Sequence, residues 1–258
     1  MARVILEGRP SPGCGWSVLL TATVRPPETI SNLTRRDPDL RLSDYSEALR
    51  HWAAIPNICN IIWCDNSGLS DKELANMVRC ITRTDTHIEL HSFPGNTYDP
   101  GLGKGRGEME ILAFAISAAL RPRGYSHILK VTGRLSIANG ERLVRRLIQC
   151  PQADVCCDLQ QYLTYADGRA FWCSTTFLED HLIKYDWVID DSRGAYFEHA
   201  LARAVHSAAA QGFSWRPLPL APEFRGYSGT SGTRLASGLF HKGHSDIRLW
   251  LKRRILAR

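Results

Sequence analysis

The chain has 258 residues, 44% of them hydrophobic, and a formal net charge of +6, enough apolar material for one domain of α/β size. No run approaches the ~18 consecutive apolar residues of a membrane span, and Met1 to Pro12 lacks the apolar core of a signal peptide. The charge is uneven: from Lys242 to Arg258 six Lys or Arg face one acid, Asp246, so that segment carries +5 and the body is close to neutral.

Trp16 to Val24 reads as a first buried strand, ended by Arg25-Pro-Pro27. Asp44 to Ala54 places Tyr45, Ala48, Leu49 and Trp52 at helical spacing. Ile58 to Cys64 is a second strand closed by the turn Asp65-Asn-Ser-Gly68. Ser70, with Glu73 three residues on, signals the start of a helix reaching about Thr82. His87 to Phe93 is a third strand, and a glycine-rich loop follows from Pro94 to Gly107. An apolar helix, Glu108 to Leu120, leads to the strand that opens Ile128-Leu-Lys-Val-Thr-Gly-Arg134. Such alternation predicts a mostly parallel sheet flanked by helices.

The second half is less regular. Glu141 to Ile148 is helical, and Ala153 to Leu159 and Arg169 to Thr175 are strand-like around an Asp167-Gly168 turn. Ser192 is placed to cap a helix ending near Ala210, and Phe213 to Pro217 is a short strand. Arg225 to Arg234 is polar and glycine-rich, suited to a loop or lid. The eight cysteines form no C-x-x-C pair and several sit in apolar runs. They read as buried free thiols in a reducing, cytoplasmic compartment.

Five constellations could carry chemistry. Lys130, Thr132 and Arg134 lie two apart, so an extended backbone turns all three to one face, and in open α/β sheets ligands bind at the carboxyl ends of strands. A Lys/Thr/Arg face there suits a phosphate; a solvated strand end is the plain alternative. Thr21, Thr23 and Arg25 end the first strand, where they could hold a base or ribose or simply fill the strand. Asp65, Asn66 and Ser67 could bind ribose hydroxyls or form an Asx turn. Lys104 and Arg106, spaced by glycines before a helix start, favour an anion or are the solvated charges of a flexible loop. Asp190 and Asp191, ahead of the helix containing Glu198, offer a general base or a charge preference at a helix start. The histidines show no metal-binding spacing, and no G-x-S-x-G elbow supports a hydrolase.

Taken in order, Leu19 to Val24, Asp65 to Gly68, Gly103 to Glu108, Lys130 to Arg134 and Asp190-Asp191 with Glu198 make the chain resemble GT-A-fold glycosyltransferases of bacterial surface-polysaccharide synthesis. The resemblance implies a single GT-A-like, Rossmann-related domain over 1–240, with a basic amphipathic tail at 241–258. It implies transfer of a sugar from a nucleotide-sugar donor to a hydroxyl of a glycan or lipid-linked acceptor. Donor contacts would come from Thr21, Thr23, Arg25, Asp65, Asn66, Ser67, Lys104, Arg106, Lys130, Thr132 and Arg134. Asp191, then Asp190, would be the base, with Glu198 positioning the acceptor. Many GT-A enzymes hold Mg²⁺ or Mn²⁺ on an Asp-x-Asp pair, but Lys130 to Arg134 fills that place and Asp37-Pro-Asp39 lies too early. No metal site is therefore assigned, although Asp65 or Asp158 could hold one singly. A non-catalytic nucleotide- or anionic-glycan-binding protein is the alternative. Nucleic acid is not expected as a partner, because the body is near-neutral and lacks an RNA-binding motif. In the tail, Ile247, Trp250, Leu251 and Ile255 share one helical face among cations, as for an anionic membrane surface or for packing on the body with the charges in water. The first would place the protein on the inner face of the plasma membrane.

Overall fold

The computed structural model describes residues 1–8, 14–30, 33–79, 81, 85–149 and 153–235. The basic tail lies outside the described residues. The strands are β1 (Ala2–Leu6), β2 (Trp16–Ala22), β3 (Asn60–Asp65), β4 (His87–Ser92), β5 (His127–Thr132), β6 (Ser136–Ile137), β7 (Val155–Cys156), β8 (Leu159–Gln160), β9 (Tyr165–Ala166), β10 (Ala170–Ser174), β11 (Trp215–Arg216), β12 (Phe224–Tyr227) and β13 (Arg234–Leu235). The helices are α1 (Pro38–Ala53), α2 (Asp71–Val78), α3 (Lys104–Ala115), α4 (Arg121–Arg123), α5 (Gly140–Ile148), α6 (Thr175–Asp180) and α7 (Phe197–Ala210).

One eight-stranded sheet, in the order β1-β4-β3-β2-β5-β10-β7-β11, forms the centre. Its middle strands β4, β3, β2 and β5 are parallel, while β1 and β10 run antiparallel to their neighbours. The α/β class and mostly parallel sheet are as expected. The parallel strands are apolar on both faces because helices cover both. Val18, Leu20, Leu129 and Val131 point into the cluster containing Trp52, Leu74 and Leu143 of α1, α2 and α5. Leu19 and Ile128 point into the other, with Leu112, Phe177 and Leu201 of α3, α6 and α7. Lys130 shares the parity of Ile128 and so lies on the α3 face.

Several boundaries differ from the sequence reading. The run Ala2–Leu6, read only as a terminus without a signal core, is an edge strand on β4. Helix α1 begins at Pro38, with the Asp37 carboxylate accepting from the amides of Asp39 and Leu40; Asp37-Pro-Asp39 is thus a helix start. Helix α3 begins at Lys104, four residues before the expected Glu108. Its early glycines are explained by crowding: a Cβ on Gly105 would stand 3.1 Å from Ile189 and Phe197, and one on Gly107 would stand 2.5 Å from the Tyr98 hydroxyl. Ser192 does not cap α7. It lies in a separate turn, Asp191–Arg193, ended by Gly194 at φ 72°.

The chain runs outward from β2 through β3 to β4, then returns to lay β5 on the other side of β2. The carboxyl ends of β2 and β5 therefore flank the switch point of the sheet, where a crevice opens in folds of this type. The small sheet β13-β12-β6 continues from that end.

Candidate functional site

A cavity of about 240 Å³ lies at this switch point. Its lining divides in two: Pro26, Ile30, Leu33 and Tyr45 make an apolar end, while Lys104, Glu108, Lys130, Arg134, Asp191 and Glu198 make an ionic end.

Lys104 and Glu108 are one helical turn apart on α3 and face the same way. Lys130 is 1% exposed. Its Nζ donates to the Gly168 carbonyl at 2.6 Å and lies 2.7 Å from Glu108 Oε1. Thr21 Oγ1 donates to that same carboxylate oxygen at 2.6 Å. The Lys130 ammonium is therefore already matched by a carboxylate, which corrects its reading as an open phosphate ligand. Thr132 and Arg134 also line the cavity; Arg134 lies beyond the end of β5, and its Nε donates to the Tyr227 carbonyl at 3.1 Å. Gly133 lets strands, not a ligand, approach: its amide donates to the Thr21 carbonyl at 2.8 Å, and a Cβ there would stand 2.7 Å from that oxygen.

The Lys104 ammonium donates to Thr230 Oγ1. Burial lowers its pKa, Asp191 and Glu198 pull it back up, and Arg134 lowers it further. The loop Ser228–Thr230 thus lies over the ionic end, anchored also by the Thr34 amide donating to the Gly229 carbonyl at 2.9 Å.

The two neighbouring acids have different fates. Asp190 points outward, accepting from Ser192 and pairing with Arg193 at 3.2 Å; the cavity does not include it. Asp191 is buried, lines the cavity, and neither of its oxygens has a hydrogen-bond partner among the described residues. Burial raises its pKa, while the Lys104 charge and nearby amide oppose the rise. It presses on Gly103, where φ is 86° and a Cβ would overlap the carboxylate at 2.0 Å, so glycine is required there on both counts. Glu198 also lines the cavity, its pKa raised by burial with Asp167 adding and Lys130 and Lys104 opposing.

Other expected residues serve the frame. Asp65 is fully buried and accepts from the Val24 amide, the Ser67 amide and hydroxyl, and the Ser92 hydroxyl. Asn66 is held by Thr23, Asn96 and Glu110, and Ser67 accepts from the Arg25 amide. Of this group only Thr23 lines the cavity. Arg25 pairs with Glu73 on the surface. Arg106 turns away to Asp186, 3.1 Å distant, because helical geometry puts it on a different side of α3 from Lys104 and Glu108.

A divalent metal takes several oxygen ligands, and the residues present do not fit one. Asp37 is used in capping α1. Asp65 spends both oxygens on four donors, and Asp158 accepts from Gln160 outside the cavity. In the cavity Glu108 is engaged by Lys130 and Asp191 lies beside Lys104. Among the described residues no group of three metal-ligating side chains occurs.

Glu108, Arg169 and Tyr98 also line the site but were not singled out from sequence. The Lys104–Glu108 spacing of four is the signal for Glu108, visible once the helix is begun at Lys104. Arg169 immediately precedes β10, whose antiparallel pairing sets Ala170 opposite Val131 and lets the Arg169 carbonyl accept from the Thr132 amide at 2.9 Å. The Tyr98 pKa is pushed up to about 12 by burial, with Glu110 and Asp191 adding, so its hydroxyl keeps its proton.

No family model and no curated protein matches the chain. Among solved structures it is similar to a candidate nucleotide-diphospho-sugar transferase from Desulfovibrio desulfuricans G20, at 11% identity over 79% of each chain with a TM-score of 0.45. It is similar to a cytidylyltransferase from Leptospira borgpetersenii at 14% identity, over 95% of this chain and 87% of that one, with a TM-score of 0.45. It is also similar to CMP:2-keto-3-deoxy-manno-octonic acid synthetase complexed with CTP, at 9% identity over 94% and 98% of the two chains, with a TM-score of 0.41. These likenesses are too distant to carry over a residue or an activity.

Proposed function

We propose that the protein is a glycosyltransferase that moves a sugar from a nucleotide-sugar donor to a hydroxyl of a glycan or lipid-linked acceptor, as in surface-polysaccharide synthesis. The observation that carries this reading is the pairing, at the switch point of the sheet, of cations with the buried Asp191 carboxylate, whose oxygens have no hydrogen-bond partner among the described residues within ordinary bonding geometry. The apolar end beside Tyr45 accommodates a nucleoside. Lys104 and Arg134 are the cations best placed for its phosphates, since Lys130 is neutralised by Glu108.

When the sugar–phosphate bond breaks, negative charge builds on the departing phosphate, and fixed cations stabilise that change more than they stabilise the ground state. Asp191 is the base that takes the acceptor's proton. With burial raising its pKa, its carboxylate is a stronger proton acceptor than an exposed one. Glu108 and Lys130 hold Thr21 and the Gly168 carbonyl in place around the reacting groups. The Ser228–Thr230 loop, bonded to Lys104, excludes water.

The test is release of free nucleotide from UDP-, GDP- and CMP-sugars, measured with and without added oligosaccharide. Turnover of one donor, accelerated by one acceptor, is the expected result. Nucleotide binding without release under any pairing would make the chain a binding protein instead.

A further inference from the structure

From the ionic end of the cavity a line of rings leads outward along α7. Tyr196, which lines the cavity and is 37% exposed, stacks on His199 with ring centroids 5.7 Å apart. His199 in turn meets the edge of Tyr165 at 5.4 Å. Beyond Tyr165, the tip of the β8–β9 hairpin carries Tyr162, which is fully exposed and has no ring or hydrogen-bond partner among the described residues.

Three details show that this strip is held in shape. Gln161, Tyr162 and Leu163 have φ of 47°, 55° and 69°, a left-handed run that is costly for residues with side chains and persists only where the surroundings impose it. The His206 ring, bonded at 2.8 Å to the Leu163 carbonyl, ties that tip to α7. The Tyr196 amide donates to His199 Nδ1 at 3.0 Å. That fixes the neutral imidazole with its proton on Nε2, a donor without a partner among the described residues. From Tyr196 to His206 is ten residues, or about 15 Å along the helix, longer than one sugar ring.

We propose that Tyr196, His199, Tyr165 and Tyr162 form a track that binds an oligosaccharide acceptor and feeds its terminal hydroxyl to Asp191. The inference rests on the transferase reading and adds the acceptor's class: a glycan of several sugar units in place of a short alcohol. Phenol and imidazole rings offer flat faces for the C–H surfaces of sugars, and their hydroxyl and N–H groups match sugar hydroxyls. The four rings carry no permanent charge, and the cations Arg203 near His199 and Arg169 near Tyr165 are opposed by Glu198 and Asp167 beside Tyr165, so the strip is less suited to an anionic lipid surface, which a net positive charge would attract.

The experiment is retention of the full chain on an array of immobilised oligosaccharides, run beside thermal shift by UDP, GDP, CDP and CMP. Tyr162→Ala is the variant, because its ring is exposed and lies outside the cavity, and Tyr162→Trp is the rescue. At least ten-fold weaker retention for Tyr162→Ala is expected, with near-normal retention for Tyr162→Trp and an unchanged nucleotide shift in both. Equal retention of Tyr162→Ala and the parent chain, or no retention of the parent on any glycan, would overturn the track. So would flotation with anionic vesicles that depends on Tyr162. If no nucleotide shifts the parent while glycan retention depends on Tyr162, the donor-pocket reading fails and the glycan site stands.

Discussion

Glu108 Oε1 and Lys130 Nζ lie 2.7 Å apart at the floor of the cavity, joining α3 to β5 where the sheet changes direction. The ammonium is 1% exposed and the carboxylate side chain 21% exposed, so the pair is largely desolvated and each charge depends on the other. Removing one partner from such a pair leaves a buried charge and costs about 3 kcal/mol. Glu108→Ala is therefore expected to lower the urea midpoint markedly. The Glu108→Ala/Lys130→Met double variant should recover part of that loss. A Glu108→Ala chain as stable as the parent would show that Lys130 finds another counter-charge.

Arg134 sits at the boundary between the cavity and the loop that covers it. Arg134→Ala should weaken nucleoside diphosphate binding by about ten-fold or more, the scale of one charge-assisted contact. The cost in stability should be small, because the side chain is partly exposed and among the described residues the lost bond is the one to the Tyr227 carbonyl. Titration calorimetry beside thermal melting separates the two. Unchanged affinity would leave Lys104 as the cation for the phosphates.

The parallel core and the placement of Lys130, Thr132 and Arg134 at one strand end were legible because strand parity and apolar runs report directly on the sheet. The identity of the working charges was less so. Glycines ordinarily mark loops, yet Gly105 and Gly107 lie in α3 because Ile189, Phe197 and Tyr98 leave no room for a Cβ. Reading them as loop hid the alignment of Lys104 with Glu108 and left Arg106 on the wrong side. Asp65-Asn-Ser-Gly68 has the composition of a ligand turn, but its polar groups are consumed by β4 and the segment after β2. No local pattern separates those outcomes, since they depend on partners 27 to 44 positions away. Asp190 and Asp191 are adjacent and chemically alike; only the close approach of Gly103 distinguishes the buried one.

Asp191→Asn is expected to reduce transfer by 10²-fold or more while leaving nucleotide affinity near that of the parent. The sign of its effect on stability is the reverse of that for a typical paired acid. Because burial raises the folded-state pKa, the native state binds more protons than the unfolded chain between the two values. The stabilising contribution is therefore present below the unfolded pKa and is lost as pH rises through the folded one. Above the folded value the ionised carboxylate is a net cost, so there Asp191→Asn should melt higher than the parent while being less active. A variant that is both less stable and inactive would point to a structural role for this acid.

Glu89 provides a test of the frame that does not touch the cavity. It is 1% exposed on β4 and faces Arg3 of the edge strand at 2.8 Å, Arg123 of α4 at 2.5 Å, His87 at 3.0 Å and His91 at 3.2 Å. Burial alone would raise its pKa, but His91, His87, Arg3 and Arg123 more than offset that and hold it well below the ordinary carboxylate range. With a depressed folded-state pKa, the stabilising contribution is present above the unfolded value, about 4.3, and is lost as pH falls from there towards the folded value. Glu89→Gln should cost roughly 2 kcal/mol at pH 7, the scale of hydrogen bonds to a charged group, and should flatten the fall in melting temperature between about pH 5 and pH 3. Arg3→Ala, which removes a partner that is 42% exposed on its side chain, should cost much less. Parallel melting curves for Glu89→Gln and the parent across that pH window would show that the acid limb is set by other carboxylates.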